Sequence, residues 1–141
     1  MHTEISYKML FVVFSLFIAK ADIKTGAVPR FAFAFAFPFF FAVKILILGR
    51  EQVLSTVVGM FVGLIVFVLI FITLRGRLGL ADVWFSALVG LVFGLWWWYI
   101  TIGVSCLTGI IYMSIFKKRR IPFIPFMALG SIFACLVNFL R

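Results

Sequence analysis

Glu4, Asp22, Glu51 and Asp82 are the only acids in a chain of 141 residues, and the last closes the stretch Gly79-Leu80-Ala81-Asp82 at the mouth of a long apolar run. An ionisable group at the end of or inside a membrane span costs roughly 2 to 4 kcal/mol, so it ordinarily has a partner and a task. Two carboxylates held together in a partly dry site resist double ionisation and share one proton. Such a pair can hydrolyse a peptide bond without a metal. The ionised member takes a proton from water, the water oxygen attacks the carbonyl carbon, and the protonated member donates to the carbonyl oxygen. Which acid stands beside Asp82 depends on how the rest of the chain is threaded.

A composition that is 66% hydrophobic, with 20 Phe, exceeds what a soluble core of this size buries, and points to an integral membrane protein. The formal charge of +9 does not imply nucleic acid. The basic residues sit in short clusters between apolar runs, where Lys and Arg set membrane orientation and meet anionic headgroups of the lipid bilayer. Cys106 and Cys135 lie in apolar runs with no second Cys or His at ligand spacing. They are expected to be small buried packing residues, and neither a metal nor a cofactor is implied.

The expected elements follow from the apolar runs. Residues 5–19 form a first span; Ala19-Lys20-Ala21 has the small-residue look of a signal cleavage site, but the weakly basic flank and the spans that follow favour a retained helix. Residues 22–30 are expected to be a loop, with Thr25-Gly26 as its turn and Pro29 at the opening of the next helix. The second run, 31–48, alternates Phe and Ala with the period of a strand. An open strand cannot satisfy its backbone in lipid, so a helix is expected there, kinked at Pro38, with Lys44 snorkelling to the nearer interface.

Residues 49–52 are a polar break, and 53–74 a third span whose Gly59 and Gly63 offer a small-residue packing face. Residues 83–116 carry no charge, and as one helix would be on the order of 50 Å long against a hydrocarbon core of about 30 Å. Two helices are therefore expected, divided at the interfacial cluster Trp96-Trp97-Trp98-Tyr99. A last helix runs from Pro122 to Leu140. The chain is thus expected to be an all-α, polytopic membrane protein of six transmembrane helices in a single domain, 1–141.

The basic residues orient it. Lys20, Lys24, Arg30, Arg75, Arg77, Lys117, Lys118, Arg119 and Arg120 fall on one side of this threading, against Lys8, Lys44, Arg50 and Arg141 on the other. The richer side is cytoplasmic, which puts both termini outside. Asp22 and Asp82 then meet at the cytoplasmic boundary, while Glu4 and Glu51 lie about 30 Å away across the core. Asp22 is the one acid within reach of Asp82. Residue type and spacing leave other uses open: Asp22 as a solvated turn residue, and Asp82 as a helix cap or as a partner of Arg75 or Arg77.

Three stretches carry a resemblance. Asp22-Ile23-Lys24-Thr25-Gly26-Ala27-Val28-Pro29, Gly79-Leu80-Ala81-Asp82 and Ile121-Pro122-Phe123-Ile124-Pro125-Phe126-Met127-Ala128-Leu129-Gly130 resemble, in order, the first-aspartate motif, the GxGD motif and the last-helix segment of the type IV prepilin and preflagellin peptidases. The resemblance implies a six-helix intramembrane aspartic peptidase of the cytoplasmic membrane. Its catalytic pair would be Asp22 and Asp82, supported by Gly79, Ala81, Lys24 and Pro29, and it would remove the short basic leader of pilin-like precursors. The chain is similar to the minimal forms, without the cysteine-bearing cytoplasmic insertion, and no N-methyltransferase activity is implied. It departs from the pattern at Ala81, which replaces the second glycine, at Trp84, where Lys is common, and at Arg30, where Asn is frequent. A catalytically silent component of a pilus or secretion assembly is the alternative. A proton-coupled transporter is disfavoured because no acid lies deeper in the spans. Within the pair, Asp82 at a helix N-terminus is expected to be the base and Asp22 at a helix C-terminus the acid.

Overall fold

A computed structural model describes residues 2–75, 78–117 and 122–141, for Leu48 the backbone alone. Arg77 and the run Lys118-Arg119-Arg120, on which part of the orientation rests, lie outside the described residues. Those described are helical with no strand: α1 (His2–Thr25), α2 (Arg30–Thr73), α3 (Leu80–Phe116) and α4 (Ile124–Leu140). Among the described residues three stretches are long and apolar enough to cross a membrane: Arg30–Ile47, Gly49–Thr73 and Leu80–Phe116.

Two glycines break the long helices. Gly49 (φ 69°, ψ −178°) interrupts α2 and Gly94 (φ 81°, ψ 174°) interrupts α3, angles that a residue with a Cβ adopts only under strain. The first break falls in the expected polar stretch. The second comes at Gly94, ahead of the tryptophan cluster, because backbone freedom rather than aromatic preference decides where a helix can turn. Its sharpness is visible in one contact. In a straight helix Ser86 and Trp98 would stand about 18 Å apart, yet the Trp98 indole donates to Ser86 Oγ at 3.0 Å. The chain therefore doubles back.

The stretch 80–93 is the centre of the molecule. Val83 and every residue from Phe85 to Gly94 are buried, as a helix apolar on all sides must be. The second half of α2 runs antiparallel to it at backbone contact: a Cβ on Gly59 would lie 2.6 Å from the Gly90 carbonyl oxygen, and one on Gly63 2.8 Å from that of Ser86. The packing role expected for this glycine pair is thus observed. On the other side Phe37 meets Trp84 edge to face, with ring centroids 6.0 Å apart. Gly130 does for α4 what Gly59 does for α2, its missing Cβ making room for the Thr101 carbonyl.

The Phe/Ala run is helical, as lipid requires of it, and divides by face. Phe33, Ala36 and Phe40 are buried, whereas Phe31, Phe35 and Phe39 are exposed. Pro38 lies inside α2, whose non-helical angles are confined to Gly49. Two expectations need correction. The helix α1 does not end before Asp22 but continues to Thr25, because the Thr25 hydroxyl donates to the Ala21 carbonyl and the Gly26 N–H to that of Asp22. Cys106 is exposed on the same face as Leu107 and Ile110, and only Cys135 is a buried packing residue.

Candidate active site

One stripe of α1 carries Asp22 into the bundle. Tyr7, Phe11, Ser15, Ile18 and Asp22 are all buried, spaced by three and four residues and so aligned on one helical face. Phe11 anchors the stripe. Fully buried, it stacks near Phe40, Phe93 and Phe85 at centroid distances of 5.4, 5.6 and 5.9 Å. Three turns further on, Asp22 arrives at the start of α3 as the last member of the same face.

Asp82 reaches the same place from the centre. It occupies the third position of α3, where its Oδ2 accepts the Gly79 N–H at 3.0 Å. That half of a capping box satisfies one orphan donor of the helix start. Asp82 is 6% exposed and Asp22 8%; burial is the main influence on the Asp82 carboxyl, and the neighbouring Asp22 carboxyl is the second. The carboxyl of Asp22 is held above the ordinary carboxylate range by burial. Its Oδ2 is buried and has no hydrogen-bond partner among the described residues. A buried acceptor in that state is costly unless it carries or shares a proton.

The expected support residues fare unevenly. Gly79 is part of the site: a Cβ there would lie 3.0 Å from Asp82 Oδ2, so any side chain would push on the carboxylate it helps to hold. Ala81 takes an ordinary helical position, and its half-buried methyl group packs against the core. Lys24 and Pro29 are exposed; Pro29, at the N-cap of α2, fixes the entry of that helix. Arg75 forms no ion pair with Asp82; among the described residues the one ion pair is Lys8 with Glu4. The cap role considered for Asp82 is real, and it uses one carboxylate oxygen.

Two predictions follow from the contacts at Gly79 and Ala81. Gly79→Ala lowers turnover at this candidate site by about tenfold, equivalent to roughly 1.4 kcal/mol in the barrier, because the carboxylate must shift by tenths of an ångström. Ala81→Gly leaves turnover within about threefold; a large gain would mean that the methyl group obstructs the site. Both are read from initial rates on a precursor peptide.

The residue that sequence reasoning misplaced is Lys44. It was expected to snorkel, yet it is 6% exposed and donates to the Val92 carbonyl inside the bundle. The signal was available: Phe33, Ala36, Phe40 and Lys44 share the three-and-four spacing of an inward face, so the lysine belongs to the buried stripe of α2.

The sequence model for the type IV leader peptidase family matches residues 9–114, a stretch that contains both aspartates. No curated protein and no solved structure matches the chain.

Proposed function

The chain belongs to the type IV leader peptidase family, and from that premise we propose that it is an aspartic endopeptidase that removes the short basic leader of pilin-like precursors at the cytoplasmic face of the cell membrane. The family makes the protein a protease, and its long apolar helices agree with a membrane setting. The observation that carries the aspartic mechanism is the convergence of two buried carboxyls, from α1 and from the start of α3, at one end of the bundle. In the proposed topology the breaks at Gly49 and Gly94 yield six spans with both termini outside, so that the aspartates face the basic leader on the inside.

In the reaction Asp82, ionised and at the positive end of α3, accepts a proton from water while the water oxygen bonds to the scissile carbonyl carbon. Asp22 gives its proton to the carbonyl oxygen. The tetrahedral intermediate collapses as Asp22 recovers that proton, the C–N bond breaks, and the proton on Asp82 passes to the leaving amine. Both carboxyls are buried, so burial favours a single proton shared by the pair, and the assignment of Asp82 as base rests on its place at the positive end of α3. Lys24 is exposed close to Asp22 in sequence, and its proposed part is in substrate entry rather than proton transfer.

The test is co-expression with pilin-like precursors, reading leader loss by mass shift and new N-terminus. A pH profile adds a second check. The pair needs one proton, so turnover is bell-shaped. Loss of the shared proton from the buried pair sets the alkaline limb above the ordinary carboxylate range of about 4. A rate independent of pH between about 4 and 9 would sink the shared-proton pair.

One observation favours a second reading, a non-cleaving component of a pilus or secretion assembly: the Gly79 hydrogen bond gives Asp82 a structural use of its own. That reading predicts intact assembly when either aspartate is replaced by Asn.

A further inference from the structure

The opposite end of the bundle contains a second polar site, unrelated to peptide cleavage. Glu4, Lys8, Lys44, Gln52, Ser55 and Asn138 line a cavity of about 250 Å³, which reaches the surface at Gln52 and Ser55. Both lysines are buried, Lys8 at 5% and Lys44 at 6% exposure. A buried ammonium in a membrane-like interior is costly and ordinarily has a counter-charge.

Only one of the two has it. Lys8 Nζ lies 2.8 Å from Glu4 Oε1, and that bond holds the Glu4 carboxyl below its ordinary range, so the pair is ionised and neutral in sum. Lys44 is left with the Val92 carbonyl and with the face of Tyr7, whose ring centroid lies 5.8 Å away. Both partners are uncharged. Val92 precedes the break at Gly94, where the helix leaves carbonyls without their usual donors. This accounts for one of the three ammonium protons of Lys44. The same cavity is lined by Gln52, Ser55 and Asn138, whose side chains can donate hydrogen bonds, and Glu4, the one carboxylate lining it, is already engaged by Lys8. The cavity thus offers a single unbalanced positive charge and a ring of donors, in a space larger than a water molecule occupies.

We propose that this cavity binds a phosphate group, as the monoanionic phosphodiester of a phospholipid headgroup or as free phosphate. A phosphodiester carries one negative charge and acceptor oxygens for Lys44, Ser55 and Asn138. It would fasten α1, the two halves of α2, the turn at Gly94 and the end of α4 to one another at the end remote from the aspartates.

The experiment is native mass spectrometry and thermal unfolding of the purified full chain in detergent, titrated separately with phosphatidylglycerol, phosphatidylcholine and inorganic phosphate. Wild type is compared with Lys44→Met and Ser55→Leu, the second of which fills the cavity and leaves both lysines in place. The expected result is one tightly held phosphatidylglycerol per chain, a raised unfolding midpoint, and at least about tenfold weaker binding in each variant, a loss of about 1.4 kcal/mol. Protection by inorganic phosphate, lost in the same variants, supports the proposal and identifies free phosphate as the source. If Lys44→Met does not fold, Ser55→Leu decides alone. Binding that is undiminished in Ser55→Leu overturns the proposal, as does the absence of any effect of either phosphate source on wild type. Phosphatidylcholine bound as tightly as phosphatidylglycerol overturns the requirement for net negative charge and with it the proposal.

Discussion

Asp22→Asn and Asp82→Asn each lower cleavage of a precursor by at least about 1,000-fold, within the range that a positioned acid or base contributes, while the protein stays folded. Asn is nearly isosteric with Asp, and in Asp82→Asn the side-chain carbonyl can still accept the Gly79 N–H that Oδ2 accepts now. The helix start therefore keeps its cap. In Asp22→Asn a buried carboxyl that lacks a hydrogen-bond partner is replaced by a neutral group, so stability is unchanged or higher.

The sign of the pH effect makes the same point. A raised Asp22 binds a proton in the folded state where the unfolded chain has released it, so wild-type stability falls as pH rises from the ordinary carboxylate range through the raised value. That part of the slope is absent in Asp22→Asn. Leader removal at more than about 1% of the wild-type rate in either variant, below the hundredfold that even weak acid–base assistance supplies, would falsify the two-carboxyl mechanism. Loss of cleavage together with loss of folding would point instead to structural carboxylates.

Gly90→Ala should destabilise the protein by about 2 to 3 kcal/mol, the upper part of the range for overpacking. An added Cβ would run into the Gly59 carbonyl oxygen, and a backbone atom cannot rotate away as a side chain can. The halves of α2 and α3 must then separate, which moves the helix that carries Asp82. Cleavage at raised temperature falls with stability. Gly103→Ala is the matched control, since nothing lies within 4 Å of the Cβ it would add. It gains helix propensity, worth up to about 1 kcal/mol, and so shifts the unfolding midpoint in the opposite sense if at all. Equal midpoints for the two variants in denaturant or heat would refute the backbone contact as a determinant of packing.

Both results depend on how much of the arrangement is local. Hydropathy and length were enough to make the chain helical and membrane-like, because lipid leaves the backbone no other economical structure. They were also enough to reject the strand reading of the Phe/Ala run. The turn falls at Gly94, a few residues before the tryptophan cluster, because the cluster signals an interface whereas a left-handed backbone angle depends on a single missing Cβ. Lys44 does not reach an interface at the end of its span. Its true surroundings include the Val92 carbonyl, which becomes available only when a helix elsewhere in the chain breaks.

The aspartates divide the same way. Charge scarcity and the distribution of Lys and Arg single out Asp22 and Asp82, since both quantities are properties of residue type and order. That Asp22 rides on the inward stripe of α1 is likewise written in its spacing from Tyr7, Phe11, Ser15 and Ile18. Tertiary structure alone decided that Asp82 heads the central helix with its buried run from Phe85 to Gly94, that Gly79 must be bare to leave room for its carboxylate, and that one Asp22 oxygen is buried with no hydrogen-bond partner among the described residues. Each of these is a distance between atoms brought together by packing, and no periodicity or composition measures such a distance before the helices have met.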